Sequence, residues 1–167
     1  MPFATDVPMP PMPLMIVRLI ALVFTGLTAG IFLGDRAGSK NGRMLLSPSS
    51  FIEFQQAVHR VFVRMMPPLS IGAALAGLAW LYLDRSQSGG WQFWLVAVAT
   101  AGMMLSFGLT VSINVPLNNR LMTWSSSSPP ADLKKQWEPW ERVHTIRTVI
   151  AVFAFVLEAI ALNARAL

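Results

Sequence analysis

The stretch WEPWERVHTIR, residues 137–147, opens onto an apolar run that continues to Leu162. Helical spacing places Trp140, His144 and Arg147 on one face, because residues four and then three positions apart stack along a helix. A lipid-facing helix has no ordinary use for such a face. An arginine at the bilayer centre costs about 2.5–3.5 kcal/mol on insertion scales, so ionisable groups inside spans turn toward a bundle interior or a wet cavity. A partner for His144 and Arg147 is therefore expected elsewhere in the chain. Residues 143–162 are also long enough, at about 1.5 Å per residue, to cross roughly 30 Å of hydrocarbon.

The rest of the chain has the same character. Of its 167 residues, 54% are hydrophobic and only 13% charged, which is too apolar for an ordinary soluble domain. Cysteine is absent, which removes disulfides, thiolate metal sites and a cysteine nucleophile together. The net charge of +5 does not point to nucleic acid, because the basic residues cluster in and beside the connections between apolar spans. In a membrane protein that clustering is an orientation signal.

Residues 1–13, MPFATDVPMPPMP, are proline-rich without helical period and read as an irregular arm. Residues 14–34 form the first span, with Arg18 close enough to its start to snorkel. A signal peptide is the competing reading, but no positive charge precedes the run and no soluble domain follows it. Residues 35–50, DRAGSKNGRMLLSPSS, read as a loop, with Ser50 and Glu53 spaced as a capping box for the second helix.

That helix covers residues 51–83. Its first half, FIEFQQAVHRVFVRMM, is polar, Pro67 and Pro68 predict a kink, and residues 69–83 are clean membrane sequence. A short turn at 84–90 leads to a third span at 91–115, with Trp91 and Trp94 at an interface. Asn114, Pro116 and Asn118 lie at its far end. SSSSPP at 125–130 reads as a flexible connection, Asp132 as the cap of a short amphipathic helix, and Pro139 as a first-turn residue of the fourth helix. The expectation is an all-α integral membrane protein, an antiparallel four-helix bundle, with an arm at 1–13 and a single four-helix transmembrane domain at 14–167.

Up-and-down order brings the start of the second helix, the end of the third and the start of the fourth to one side. His59, Arg60 and Arg64, then Asn114 and Asn118, then Trp140, His144 and Arg147 meet there. This predicts a cavity open to that side and roofed by the third loop. Ordinary interfacial anchoring competes for each Arg, Lys and Trp taken alone. The excess of Arg36, Lys40, Arg43, Arg120, Lys134, Lys135 and Arg142 also places loops one and three in the cytoplasm by the positive-inside rule. Histidines are poor anchors, so His59 and His144 point to a site. Asn114 and Asn118 have two readings: they satisfy carbonyls freed by Pro116, or they hydrogen-bond a phenol or carbonyl at a cavity mouth. Glu158 either pairs with Arg18 or lines a second polar contact.

FQQAVHRVFVRMMPP on helix two, INVPLNNRLMTW after helix three and WERVHTIRTV opening helix four, in that order, resemble the family of small four-helix membrane proteins that includes the anthrone oxygenases. The resemblance implies a membrane enzyme that uses molecular oxygen to convert an anthrone to an anthraquinone without a bound cofactor. The positions most similar to the family pattern are His59, Asn114, Pro116, Asn118, Trp140, His144 and Arg147.

The residues suit that chemistry. An anthrone has an acidic benzylic CH2, so a base need only form an electron-rich anion that meets oxygen, and histidine accepts a proton near neutral pH. His144 or His59 is the candidate base, with Arg147 or Arg64 and the Asn114 amide stabilising the oxyanion. Trp137 and Trp140 would stack a flat substrate, and Gln56 and Asn118 are further substrate-binding candidates. The implied partners are an apolar aromatic small molecule, O2 and the lipid bilayer, with no nucleic acid, and a homo-oligomer stays open. Two other classes stand beside this one. His59 and His144 at similar depth form a candidate axial pair for a b-type haem, and the other class is a non-enzymatic scaffold or small transporter, which in its scaffold form would dispense with both histidines.

Overall fold

The computed structural model describes residues 10–164, so residues 1–9 of the expected arm and residues 165–167 lie outside the description. Four long helices follow one another: α1 at Met12–Met44, α2 at Pro48–Leu83, α3 at Trp91–Leu121 and α4 at Leu133–Asn163. Each is long and apolar enough to cross a membrane. They form an antiparallel ring in which α1 packs on α2 and α4, and α3 on the same two. The expected all-α bundle is what the chain forms.

Small side chains make the contacts. Ala29, Ala73, Ala99, Ala151 and Ala154 surround Phe32 and Met103 in one layer. Ala21, Ala76 and Ala161 surround Trp80 in the next. Such residues let membrane helices approach closely, where packing rather than water drives association. α2 lies close against α3 at Gly77, where an added Cβ would collide with Thr100. Leu19, Leu75, Leu105 and Val149 face outward, each more than half exposed. A lipid bath suits that surface.

The helices are longer than their apolar cores. At about 1.5 Å per residue they reach roughly 46–54 Å against about 30 Å of hydrocarbon. The excess lies at one end, in the polar halves of all four helices. Residues 35–50 are mostly not the expected loop: α1 continues through a π-helical segment, Asp35–Ser39, and on to Met44. Gly38 and Gly42 do not interrupt it, because no described glycine adopts a positive φ. Ser47, not Ser50, caps α2, accepting from the Ser50 amide at 3.2 Å, and Pro48 takes the first helical turn.

Pro67 and Pro68 lie inside α2 without ending it. Helix α3 likewise passes its expected end at residue 115 through a second π segment, Thr110–Asn114, and reaches Leu121. No separate amphipathic helix precedes the fourth span, because Pro139 sits within the continuous α4 and Asp132 makes no side-chain cap. The serine-rich connection is fastened rather than loose. Gln56 donates to the carbonyls of Leu121 and Trp124 at 3.0 and 2.9 Å, and Ser49 to that of Ser126 at 2.6 Å.

Candidate functional site

A cavity of about 260 Å³ lies where the polar halves meet the apolar ones, with walls from all four helices. Its volume is near the lower end of the roughly 300–1,000 Å³ of small-molecule sites. As the spacing predicted, α4 presents Trp140, His144 and Arg147 along one face, and all three line it. Trp137 stacks on Trp140 at 4.8 Å and Trp140 on His144 at 4.9 Å, while Phe32 meets the His144 ring edge-on at 5.4 Å. Arg147 lies over the Phe32 face at 4.5 Å.

The partner required by His144 and Arg147 comes from α1. His144 Nε2 is 3.1 Å from Asp35 Oδ2, at ion-pair distance though too oblique for a hydrogen bond. Arg147 Nη2 is 3.3 Å from His144 Nδ1. A guanidinium can only donate, so that contact makes Nδ1 the acceptor and leaves the ring proton on the nitrogen beside Asp35. Arg147 Nη1 also donates to Thr110 Oγ1 at 2.8 Å and to Asn114 Oδ1 at 3.1 Å.

Asp35 is held in turn by Arg43, whose two terminal nitrogens reach its oxygens at 2.6 and 3.0 Å. Arg43 donates to Glu141 Oε1 as well, at 3.0 and 2.7 Å, and the Trp137 indole joins the same oxygen at 3.2 Å. The charges of Asp35, Glu141, Arg43 and Arg147 sum to zero, which is the condition for burying them together.

The π segments bear on this arrangement. Eight residues along an α-helix differ by about 80° in direction, so Asp35 and Arg43 would diverge. A π turn holds one residue more than an α turn, and the separation then behaves like seven residues, within about 20° of alignment. Thr110 and Asn114, the two neutral partners of Arg147, bound the other π segment.

Several sequence-predicted residues take other places. His59 and Asn118 line the cavity, His59 half-buried, and neither side chain has a hydrogen-bond partner among the described residues. Asn114 also lines it, but its amide is occupied, accepting from Arg147 and donating to the Trp140 carbonyl at 3.4 Å. Gln56 points away to the third connection, and its neighbour Gln55 lines the cavity instead. Trp137 is 2% exposed and packs behind Trp140. Arg64, like Arg60, lies on the exposed face of α2 and outside the cavity. Arg18 bonds Asp84 at 3.5 Å, not Glu158, which accepts from Thr25 at 3.2 Å.

The predicted roof is absent too, since no residue of the third connection lines the cavity. Phe51, Ile52, Leu121, Leu133 and Trp137 close that end as a buried apolar cluster. Sequence reading also missed Asp35, Arg43, Glu141, Gln55 and Thr110. The available signal was the scarcity of acid: with 8 carboxylates in the chain, one directly after an apolar span calls for a partner.

A b-type haem ligated by His59 and His144 would need a free ring nitrogen on each. Such ligation would have to displace either Arg147 from His144 Nδ1 or Asp35 from beside its Nε2.

Fold and site together define a multi-pass membrane-helix bundle with an apolar cavity walled by a buried His–Arg–carboxylate network. The sequence profile described as Anthrone oxygenase matches residues 54–157, more than half of the chain, and the protein belongs to that family. Searches of curated proteins and of solved structures returned no match.

Proposed function

We propose that the protein oxidises an anthrone, or a similar polycyclic phenol, to the quinone with molecular oxygen and without a bound cofactor. The observation that carries this reading is an unpartnered, half-buried His59 facing an apolar cavity whose walls also hold the guanidinium of Arg147. Family membership supports it.

His59 takes a proton from the substrate CH2. The resulting anion is delocalised onto the carbonyl oxygen, where the positive charge of Arg147 and the unpartnered indole N–H of Trp140 favour it. Oxygen adds at the carbanion carbon and the proton returns to give a hydroperoxide. Loss of the remaining hydrogen on that carbon, with cleavage of the O–O bond, forms the second carbonyl and releases water. The carbon gives up four electrons and the two oxygen atoms accept four, so no further reductant is required.

In this scheme His144 positions rather than reacts, because its ring is 3% exposed, its Nδ1 accepts from Arg147 and its Nε2 carries the ring proton beside Asp35. The test is turnover of an anthrone under 18O2 by purified protein in lipid nanodiscs, against empty nanodiscs. One labelled atom in the quinone and one in water, formed faster than in the blank, is the expected result. Quinone formation no faster than the blank by a folded protein overturns the proposal.

A further inference from the structure

We infer that the cavity is filled from the bilayer, through a lateral opening between α2 and α3 framed by Val63, Pro67, Val111 and Val115, and that its occupant is a lipid-dissolved flat ring system. The choice of a ring-shaped occupant rests on the function proposed above, whereas the route rests on the cavity's own geometry.

A side chain that both lines a cavity and meets the outside marks an opening. Val63 is 51%, Val111 52% and Val115 39% exposed, and all three line the cavity together with the exposed Pro67. On the α1 and α4 walls no lining side chain is as open: Phe32, His144 and Arg147 are 5%, 3% and 5% exposed, and Ile31, Asp35 and Trp140 only partly so. Toward the third connection the apolar cluster around Trp137 packs across the end of the cavity.

The helices explain why the gap lies here. α2 and α3 are pressed together at Gly77 and Thr100, where no Cβ fits. Seven to fifteen residues nearer the site, roughly 10–22 Å along the axis, Phe107, Met66 and Phe62 stand in the cavity wall instead of small residues. Bulk at one end and contact at the other separate the two helices at the site.

The rim also lies at a telling depth. On α2 it spans the exposed Arg64, with Val63 before it and Pro67 after, just ahead of the apolar half beginning at Leu69, and on α3 it follows the apolar run that ends at Leu109. That is the hydrocarbon boundary, where a fused ring system with one polar edge partitions. Four apolar rim side chains admit such a ring and disfavour a hydrated ion. They are therefore the residues that set which ring systems pass.

The chain has no cysteine, which makes the route measurable. Ser70 is 9% exposed and lines the cavity, so Ser70→Cys places a nearly isosteric reporter inside. In proteoliposomes this thiol should react with the flat, bilayer-partitioning N-pyrenylmaleimide and resist a charged sulfonate thiosulfonate reagent. Adding Val111→Trp, or Val63→Trp where the first variant does not fold, should slow pyrene labelling on the order of tenfold, the effect of about 1.4 kcal/mol on a barrier. Leu75→Trp, on the lipid face, should leave it unchanged. Equal reactivity toward both reagents, or a rim tryptophan without effect in a folded protein, overturns the route. The labelling needs no turnover, so a failed oxygenase assay beside a positive labelling result rejects the reaction alone.

Discussion

Replacing Asp35 by Asn should destabilise the protein in one background and leave it almost unaffected in another. Arg43, 2% exposed, bonds both oxygens of Asp35 and one of Glu141. Breaking a buried pair from one side costs about 3–5 kcal/mol. Asp35 is partly exposed and an asparagine oxygen still accepts one bond, so the expected loss for Asp35→Asn is nearer 2 kcal/mol. Arg43→Gln removes the cation between two carboxylates and should cost about 3 kcal/mol or more. With the cation gone, Asp35 keeps only its contact with His144 and the field of Arg147, offset by Glu141 across the vacated position. In that background Asp35→Asn should change stability by no more than about 0.5 kcal/mol, a coupling near 1.5–2 kcal/mol. Equilibrium unfolding in mixed detergent–SDS micelles, followed by tryptophan fluorescence, measures all four corners of the cycle. Equal losses in the two backgrounds would show that the carboxylate and the arginine act independently, and the network argument fails.

Gly77→Ala drives a methyl into Thr100 and should cost about 1–3 kcal/mol in the same unfolding assay, with Thr100→Ala restoring part of it; an unchanged midpoint contradicts the close α2–α3 contact. Gln56→Ala removes two hydrogen bonds that fasten the third connection, for a loss of about 1–3 kcal/mol. Proteolysis within residues 125–130 should accelerate in step, and an unaltered cleavage rate argues against this anchoring. Glu141→Gln should lower stability while the same change at the exposed Glu138, which pairs only with the exposed Arg142, has little effect on melting; similar effects at the two sites count against burial as the reason.

Much of the fold was legible because hydrophobic runs of bilayer length leave few alternatives, and the alignment of Trp140, His144 and Arg147 needed only helical periodicity. The site was legible where residues share one helix and obscure where helix register shifts. Asp35 and Arg43 looked like loop residues because glycine and asparagine punctuate 35–50, yet a π turn carries the helix through. No local residue preference announces such a turn. Gln55 and Gln56 show the same limit at finer scale, since neighbours about 100° apart on a helix cannot be assigned to wall or outer face without knowing its rotation. Arg64 was drawn into the site by its place between His59 and the prolines, although its direction on α2 is outward. The sealed end was missed because Phe51, Leu121, Leu133 and Trp137 come from distant parts of the chain and only packing unites them.

The central claim is that His59 is the base of a cavity that oxidises an anthrone. Oxygen uptake in lipid nanodiscs, with wild type compared to His59→Ala and to empty nanodiscs, tests it most directly. The account predicts one O2 consumed per quinone by the wild type, and a loss on the order of 10²–10⁴-fold in His59→Ala with unchanged melting, up to the limit set by the blank. Undiminished turnover in a folded His59→Ala protein contradicts the assignment.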